Sequence, residues 1–109
     1  MVSSMRNVIL DIERIIEDLK FKPSDVKIYS LLLEKGEMRV SEIAKELGLS
    51  ARFVRERLKD LSRKGIVKRE IVKKGWIGYV YKAENPINVL RKLKAKIIEE
   101  IENLEKKLE

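Results

Sequence analysis

Cysteine and histidine are both absent from this 109-residue sequence. Their absence excludes disulfides, Cys/His metal centres and a histidine general base. It equally excludes a thiol redox switch and a histidine pH switch. Glutamine and threonine are missing too, while Lys, Glu and Ile abound. That bias resembles the Lys/Glu enrichment of hyperthermophile proteins. No run approaches the ~18 apolar residues of a membrane span. Asp11 and Glu13 interrupt the opening "MVSSMRNVIL", so it does not read as a signal peptide. The expectation is a cytoplasmic protein without membrane contact. No carboxylate pair sits in a loop that suggests catalysis, and no phosphate loop or metal cluster is visible. Neither an enzyme, nor a cofactor, nor a metal is expected.

Charge is what the sequence has in excess. Charged residues make up 39% of the chain, well above the usual quarter, and the net charge is +7. The 44% of apolar residues suffices for one small core, so residues 1–109 are expected to form a single domain. The excess is not spread evenly. Residues 39–82 hold thirteen Lys/Arg against five Asp/Glu, a net +8; the rest hold twelve against thirteen, a net −1. A thermophile's surface enrichment would cover every element. Segregation of this kind is the footprint of a nucleic-acid-binding face.

Apolar periodicity divides the chain. Met5, Val8, Ile9, Ile12, Ile15, Ile16 and Leu19 predict a helix over 4–20, capped by Ser3 or Ser4. A second helix starts near Pro23 or Ser24 and stops at Gly36. "EMRV" is at most an isolated strand. "SEIAKELG" predicts a two-turn helix that Ser41 can cap, with Ile43, Ala44 and Leu47 inward. After the turn "GLS", Ser50 is the expected N-cap of a helix over 51–64. Its Val54, Leu58 and Leu61 form one core-facing stripe. Two β-rich runs around "KKG" predict a hairpin over 66–82 with Gly75 at its tip. Residues 86–108 form a last helix about 35 Å long.

The fold class is therefore mainly α with a small β-hairpin wing: a winged helix-turn-helix over 23–83, with flanking N- and C-terminal helices. In such a module the second helix of the pair enters the major groove, and the first crosses the backbone. The expected partner is double-stranded DNA.

At 100° per residue, Leu58 and Leu61 fall within about 40° of Val54. Arg52, Glu56, Lys59 and Arg63 point outward; Arg55 and Phe53 lie on the two flanks. Arg57 lies nearer the core edge and reads as a salt bridge or a backbone phosphate contact. Arg52 and Arg55 suit guanine O6/N7, and Glu56 suits cytosine N4 or a neighbouring cation. Phe53 either packs on a thymine methyl or covers the neighbouring helix. Ser41 and Ser50 sit at helix starts that can meet phosphates. Lys45, Lys59 and Arg63 are candidate phosphate contacts, as are Lys73 and Lys74 of the wing. Trp76 either closes the hairpin on the body of the domain, the favoured reading, or reaches DNA sugars. Tyr81 reads as core.

The last helix carries Leu90, Leu93, Ile97, Ile101, Leu104 and Leu108 at steps of 3, 4, 4, 3 and 4. This eleven-residue pattern favours straight or slightly right-handed pairing. One apolar stripe on so long a helix needs a partner. Ile12 and Ile16 of the first helix supply part of it, and a second copy of the chain supplies the rest. The expected assembly is a homodimer; no effector is legible.

"VKIYSLLLEKGEMRVSEIAKELGLSARFVRERLKDLSRKGIVKRE" resembles the winged-helix domain of archaeal TrmB-like transcription regulators. MarR-type and ArsR-type repressors are wider relatives. The resemblance rests on Tyr29 and Leu32 before Gly36, "SEIAKELGLS", the Val54/Leu58/Leu61 spacing, "KGIV", and "YKAENP" before a long charged helix. It covers about residues 23–109 and implies DNA binding and dimerisation. Larger TrmB proteins add a sugar-binding domain after that helix. This sequence does not run into one, so the resemblance gives no support for a sugar effector. Two other readings remain: an architectural DNA coater with little base readout, and a protein-interaction winged helix. The mixed Arg/Glu surface of 51–64 weighs against the first, and the charge segregation against the second.

Overall fold

The chain folds as α1 (Val2–Leu19), α2 (Pro23–Lys35), α3 (Val40–Leu47), α4 (Ala51–Arg63), β1 (Val67–Lys73), β2 (Ile77–Ala83) and α5 (Pro86–Leu108). The structure is a computed structural model that describes the backbone of residues 2–109 and the side chains of 7–109. The cap expected of Ser3 or Ser4 and the inward face expected of Met5 rest on side chains outside the described residues.

Each helix of the central module starts on a donor that a side chain satisfies. The Lys22 amide donates to Asp25 Oδ2 at 2.9 Å, and Pro23 occupies the first helical position, where no amide is needed. Ser50 Oγ accepts from the Phe53 amide at 3.1 Å, the N-cap expected of it. Ser41 does not cap α3. The helix begins one residue before it, Arg39 is the N-cap, and the Arg39 amide donates to Glu42 Oε1 at 2.9 Å. The reach of Glu42 back to position 39, the acid half of a capping box, sets this start. The tight turn between α3 and α4 hinges on Gly48 at φ 65°. That left-handed residue lets the Leu49 amide close on the Ala44 carbonyl at 2.9 Å.

The hairpin runs antiparallel from Val67↔Ala83 to Lys73↔Ile77, with Lys74, Gly75 and Trp76 at its tip. Met38, the one residue of "EMRV" in an extended pairing, bridges Tyr81 through two backbone hydrogen bonds of 3.0 and 2.9 Å. So β2 lies between β1 and the start of α3, and the hairpin is stitched to the helical body.

The chain divides into two compact units: Phe21–Val89, and α1 to Lys20 together with Leu90–Glu109. The core lies in the first. Ile28 and Leu32 of α2, Ile43 of α3, the Val54/Leu58/Leu61 stripe of α4 and Val67 of β1 are each at most 2% exposed. Each such burial is worth about 1.5–3 kcal/mol. Met38 and Tyr81 close this cluster, and Tyr81 is core as expected.

The second unit has no such core. Among the described residues, none on α1 or over 90–109 is buried. Leu93, Ile97 and Leu104 are half-buried. Ile12, Ile16, Leu90, Ile101 and Leu108 are 46–62% exposed. Ile15, Leu19 and Ile97 share a narrow crevice, and Lys107 stands 3.7 Å from Asp11.

Candidate nucleic-acid interface

On α4 the burial follows the helical period. Val54, Leu58 and Leu61 are buried, while Arg52, Arg55, Glu56, Lys59 and Arg63 are exposed. The two flanks differ in chemistry. Stepping 100° per residue, Phe53, Arg57, Asp60 and Lys64 share one flank, about 60–120° from the core stripe. Phe53 and Arg57 are partly buried there. Arg57 makes a bidentate pair with Asp25, Nε to Oδ1 at 2.7 Å and Nη2 to Oδ2 at 2.8 Å. It also donates to Asp60 at 2.9 Å. The salt bridge expected at the core edge is present, and it draws Arg57 away from the outward face. Hydrogen bonding to Asp25 holds the Arg57 pKa above its ordinary value against the cost of burial. Asp60 is partly buried, which favours its neutral form, but hydrogen bonds from Lys64 and Arg63 and the charges of Lys64 and Arg57 outweigh burial and lower its pKa. Lys64 also lies over the Phe21 ring, 5.3 Å from its centre.

The opposite flank opens on a trough of about 830 Å³. Arg55, Lys59, Ser62 and Arg63 form its α4 wall, Arg39, Val40 and Ser41 its α3 end, and Arg69, Trp76, Tyr79 and Tyr81 its hairpin wall. Five of these side chains are cationic and none is acidic. Two of the cations lie on aromatic rings: the Arg39 guanidinium 5.0 Å from the centre of Trp76, and that of Arg69 4.3 Å from Tyr79. Arg39 Nε also bonds Glu42 at 3.2 Å. Among the described residues Arg52, Arg55 and Lys59 have no ion-pair partner.

Trp76 folds back over its own hairpin. Its ring lies where a side chain on Gly78 would stand. With Arg39 on the ring, the wing tip is joined to the α3 start. Trp76 keeps 38% of its surface exposed.

Of the residues expected at the site, the structure brings Ser41, Arg55, Lys59 and Arg63 into one trough. Arg52 and Glu56 stand outside it on the exposed face of α4, and Lys73 and Lys74 on the exposed wing tip. Lys45 lines a different pocket beside Glu37, Glu42 and Glu46. Arg39, Arg69 and Tyr79 were not singled out by sequence. Arg39 joins through the Met38↔Tyr81 bridge, and Arg69 meets Tyr79 diagonally across the hairpin, since its direct partner is Tyr81. No helix among the described residues is long and apolar enough to cross a membrane.

Comparison with known proteins agrees with this architecture. A family model described as the sugar-specific transcriptional regulator TrmB matches residues 16–87. An uncharacterised protein of Methanocaldococcus jannaschii is 35% identical over 81 residues, 72% of this chain and 61% of that protein. The chain thus spans less than two thirds of that relative's length. A possible transcriptional regulator from Methanosarcina mazei superposes with a TM-score of 0.67 at 20% identity, covering 89% of this chain and 85% of its own. A MarR family protein from Bacillus stearothermophilus gives 0.55 at 19% identity, covering 95% and 68%. The reduced form of the transcriptional regulator YodB from B. subtilis gives 0.56 at 23%, covering 70% and 74%. At these identities the likeness is one of fold: a winged helix, mainly α, with a two-stranded wing.

Proposed function

The chain belongs to the TrmB family of transcriptional regulators, and from that premise we propose that it binds double-stranded DNA as a homodimer in the cytoplasm. The observation that carries this reading is the outward face of α4 and its adjoining trough, with unpaired Arg52, Arg55 and Lys59 and no acid lining the trough. α4 enters the major groove, where Arg52 and Arg55 read base edges and Glu56 accepts from cytosine or steers its neighbours. Ser50 brings the helix start near a phosphate, and Phe53 borders the contact. Ser41, Lys45, Lys59 and Arg63 contact the backbone. Lys73 and Lys74 bring the wing to the adjacent minor groove or backbone.

Dimerisation is supported by the uncovered apolar residues of the second unit. Ile12, Ile16, Leu90, Ile101 and Leu108 stay exposed in the single chain, and Leu93, Ile97 and Leu104 are only half-covered. Large apolar side chains left uncovered along both helices are the material of an association surface. A two-fold axis through it gives a near-palindromic site with half-sites about one helical turn apart.

A charge-reversed protein, Arg52→Glu with Arg55→Glu, tests the reading in a duplex gel-shift assay. Both positions are exposed, so the variant folds and binding is lost. Unchanged affinity in a folded variant overturns the DNA reading and favours a protein-interaction module.

A further inference from the structure

We propose that the trough between α4 and the wing is a backbone clamp, in which Arg39 and Arg69, each lying over an aromatic ring, grip phosphates of the strand that runs between the two grooves. This rests on the DNA reading above and adds to it a positioning device built from residues outside the recognition helix.

A helix in the major groove and a hairpin at the neighbouring minor groove are separated by one sugar–phosphate strand. The trough occupies that interval: its walls are α4 and the hairpin. Its lining carries Arg39, Arg55, Lys59, Arg63 and Arg69 and no carboxylate. A polyanion is the occupant that this charge fits. The two stacked arginines differ from the lysines of the wing tip. A guanidinium lying on a ring keeps its N–H edge available for a bidentate phosphate contact. Stacking also fixes a side chain that otherwise loses rotamer freedom on binding.

Arg39 is held from two sides. Its Nε bonds Glu42 at 3.2 Å, and its guanidinium rests on Trp76. The terminal nitrogens remain for a ligand. Exposed Ser41, two residues on, adds a hydroxyl at the same end of the trough. Trp76 is thus a positioning residue. It is seated over Gly78, and it aims Arg39. Arg69 on Tyr79 does the same from the β1 side. Phosphate contacts of this kind fix register on the duplex and carry no sequence information.

The test is fluorescence anisotropy with two labelled duplexes, one bearing the sequence selected by the wild-type protein and one scrambled, over about 50–200 mM KCl. Each lost phosphate contact on B-DNA lowers the slope of log K against log salt by about 0.9. Arg39→Gln and Arg69→Gln are each expected to lower it by that amount and to weaken both duplexes equally. Arg39→Lys and Arg69→Lys keep the charge, so the slope stays while affinity falls. Trp76→Leu weakens both duplexes, and Trp76→Phe restores binding. Thermal melts establish that each variant is folded. A wild-type slope in both folded Gln variants overturns the clamp, as does a loss confined to the selected sequence. Failure of the wild-type protein to bind either duplex overturns the DNA reading itself, a different outcome.

Discussion

Arg57 reaches from α4 to Asp25, buried at 1% exposure in the first turn of α2, and binds both of its carboxylate oxygens. The same carboxylate accepts the Lys22 amide that opens α2. One acid therefore starts a helix and sets the rotation of another. Removing Arg57 leaves the buried Asp25 charge without a cation, whereas removing Asp25 leaves Arg57 still paired with Asp60. Arg57→Ala is expected to lower stability by about 3–5 kcal/mol in urea denaturation, and Asp25→Ala, which leaves Arg57 its Asp60 partner, by less. The double variant Asp25→Leu with Arg57→Met is expected to be less destabilised than either single change. Single variants within ~0.5 kcal/mol of wild type would mean that the pair does not hold α4.

The two serines at the starts of α3 and α4 separate cleanly. Ser50→Ala removes the hydroxyl that accepts from Phe53 and is expected to cost about 1 kcal/mol. Ser41→Ala removes no cap, since Arg39 and Glu42 open α3, and is expected to stay within ~0.5 kcal/mol. Denaturation midpoints of the two variants check this. Equal losses would contradict the α3 start described here.

Acid is the direction in which the fold weakens. The Asp60 pKa lies below its unfolded value because Lys64, Arg63 and Arg57 outweigh the opposing burial. The Glu42 pKa is lowered chiefly by the Arg39 amide. A depressed folded pKa contributes stability that is complete above the unfolded value, near pH 4 for Asp and Glu. It is lost as pH falls through the lower folded value. No histidine titrates in between. Thermal midpoints should therefore be nearly flat from about pH 5 to 8 and fall below about pH 4, and Asp60→Asn should flatten part of that fall. At the alkaline end, burial and the nearby Glu84 charge raise the Tyr29 pKa. Its contribution is complete below about pH 10 and is lost as pH rises further. A midpoint that changes steeply between pH 6 and 7 would contradict this set of groups.

Gly78 is required by its neighbour rather than by its own backbone. A Cβ there would overlap Cζ3 and Cε3 of Trp76. Gly78→Ala should displace the exposed indole and shift the tryptophan emission to the red, with a change in stability within ~0.5 kcal/mol. Trp76 is the sole tryptophan, so the emission reports this site alone. An unchanged spectrum would mean that the ring is not seated over Gly78.

What the sequence showed and what it hid follow from range. The α4 stripe, the Ser50 cap, the hairpin tip and the inward turn of Arg57 are local: a 3.6-residue period, a cap residue and a Gly between β-rich runs. Arg39 was hidden because its role depends on Met38 pairing with Tyr81, far along the chain. Arg69 was hidden because its ring partner lies diagonally across the hairpin and follows only from the register. Ser41 misled because serine is a strong N-cap former, whereas Glu42 reaching back to position 39 decided the start of α3.

The second unit tests association. Ile16→Lys and Ile101→Glu place charges on apolar side chains that are 52% and 47% exposed in the single chain. In sedimentation velocity the wild-type protein should run as a dimer, and the double variant as a folded monomer. A monomeric wild type at micromolar concentration would contradict the homodimer.

The most direct measurement is selection of bound sequences from a random duplex library by the wild-type protein. The expected result is an enriched near-palindrome, with half-sites about one helical turn, roughly 10 base pairs, apart. Binding without enrichment would identify an architectural DNA coater, and an empty selection would contradict DNA binding altogether.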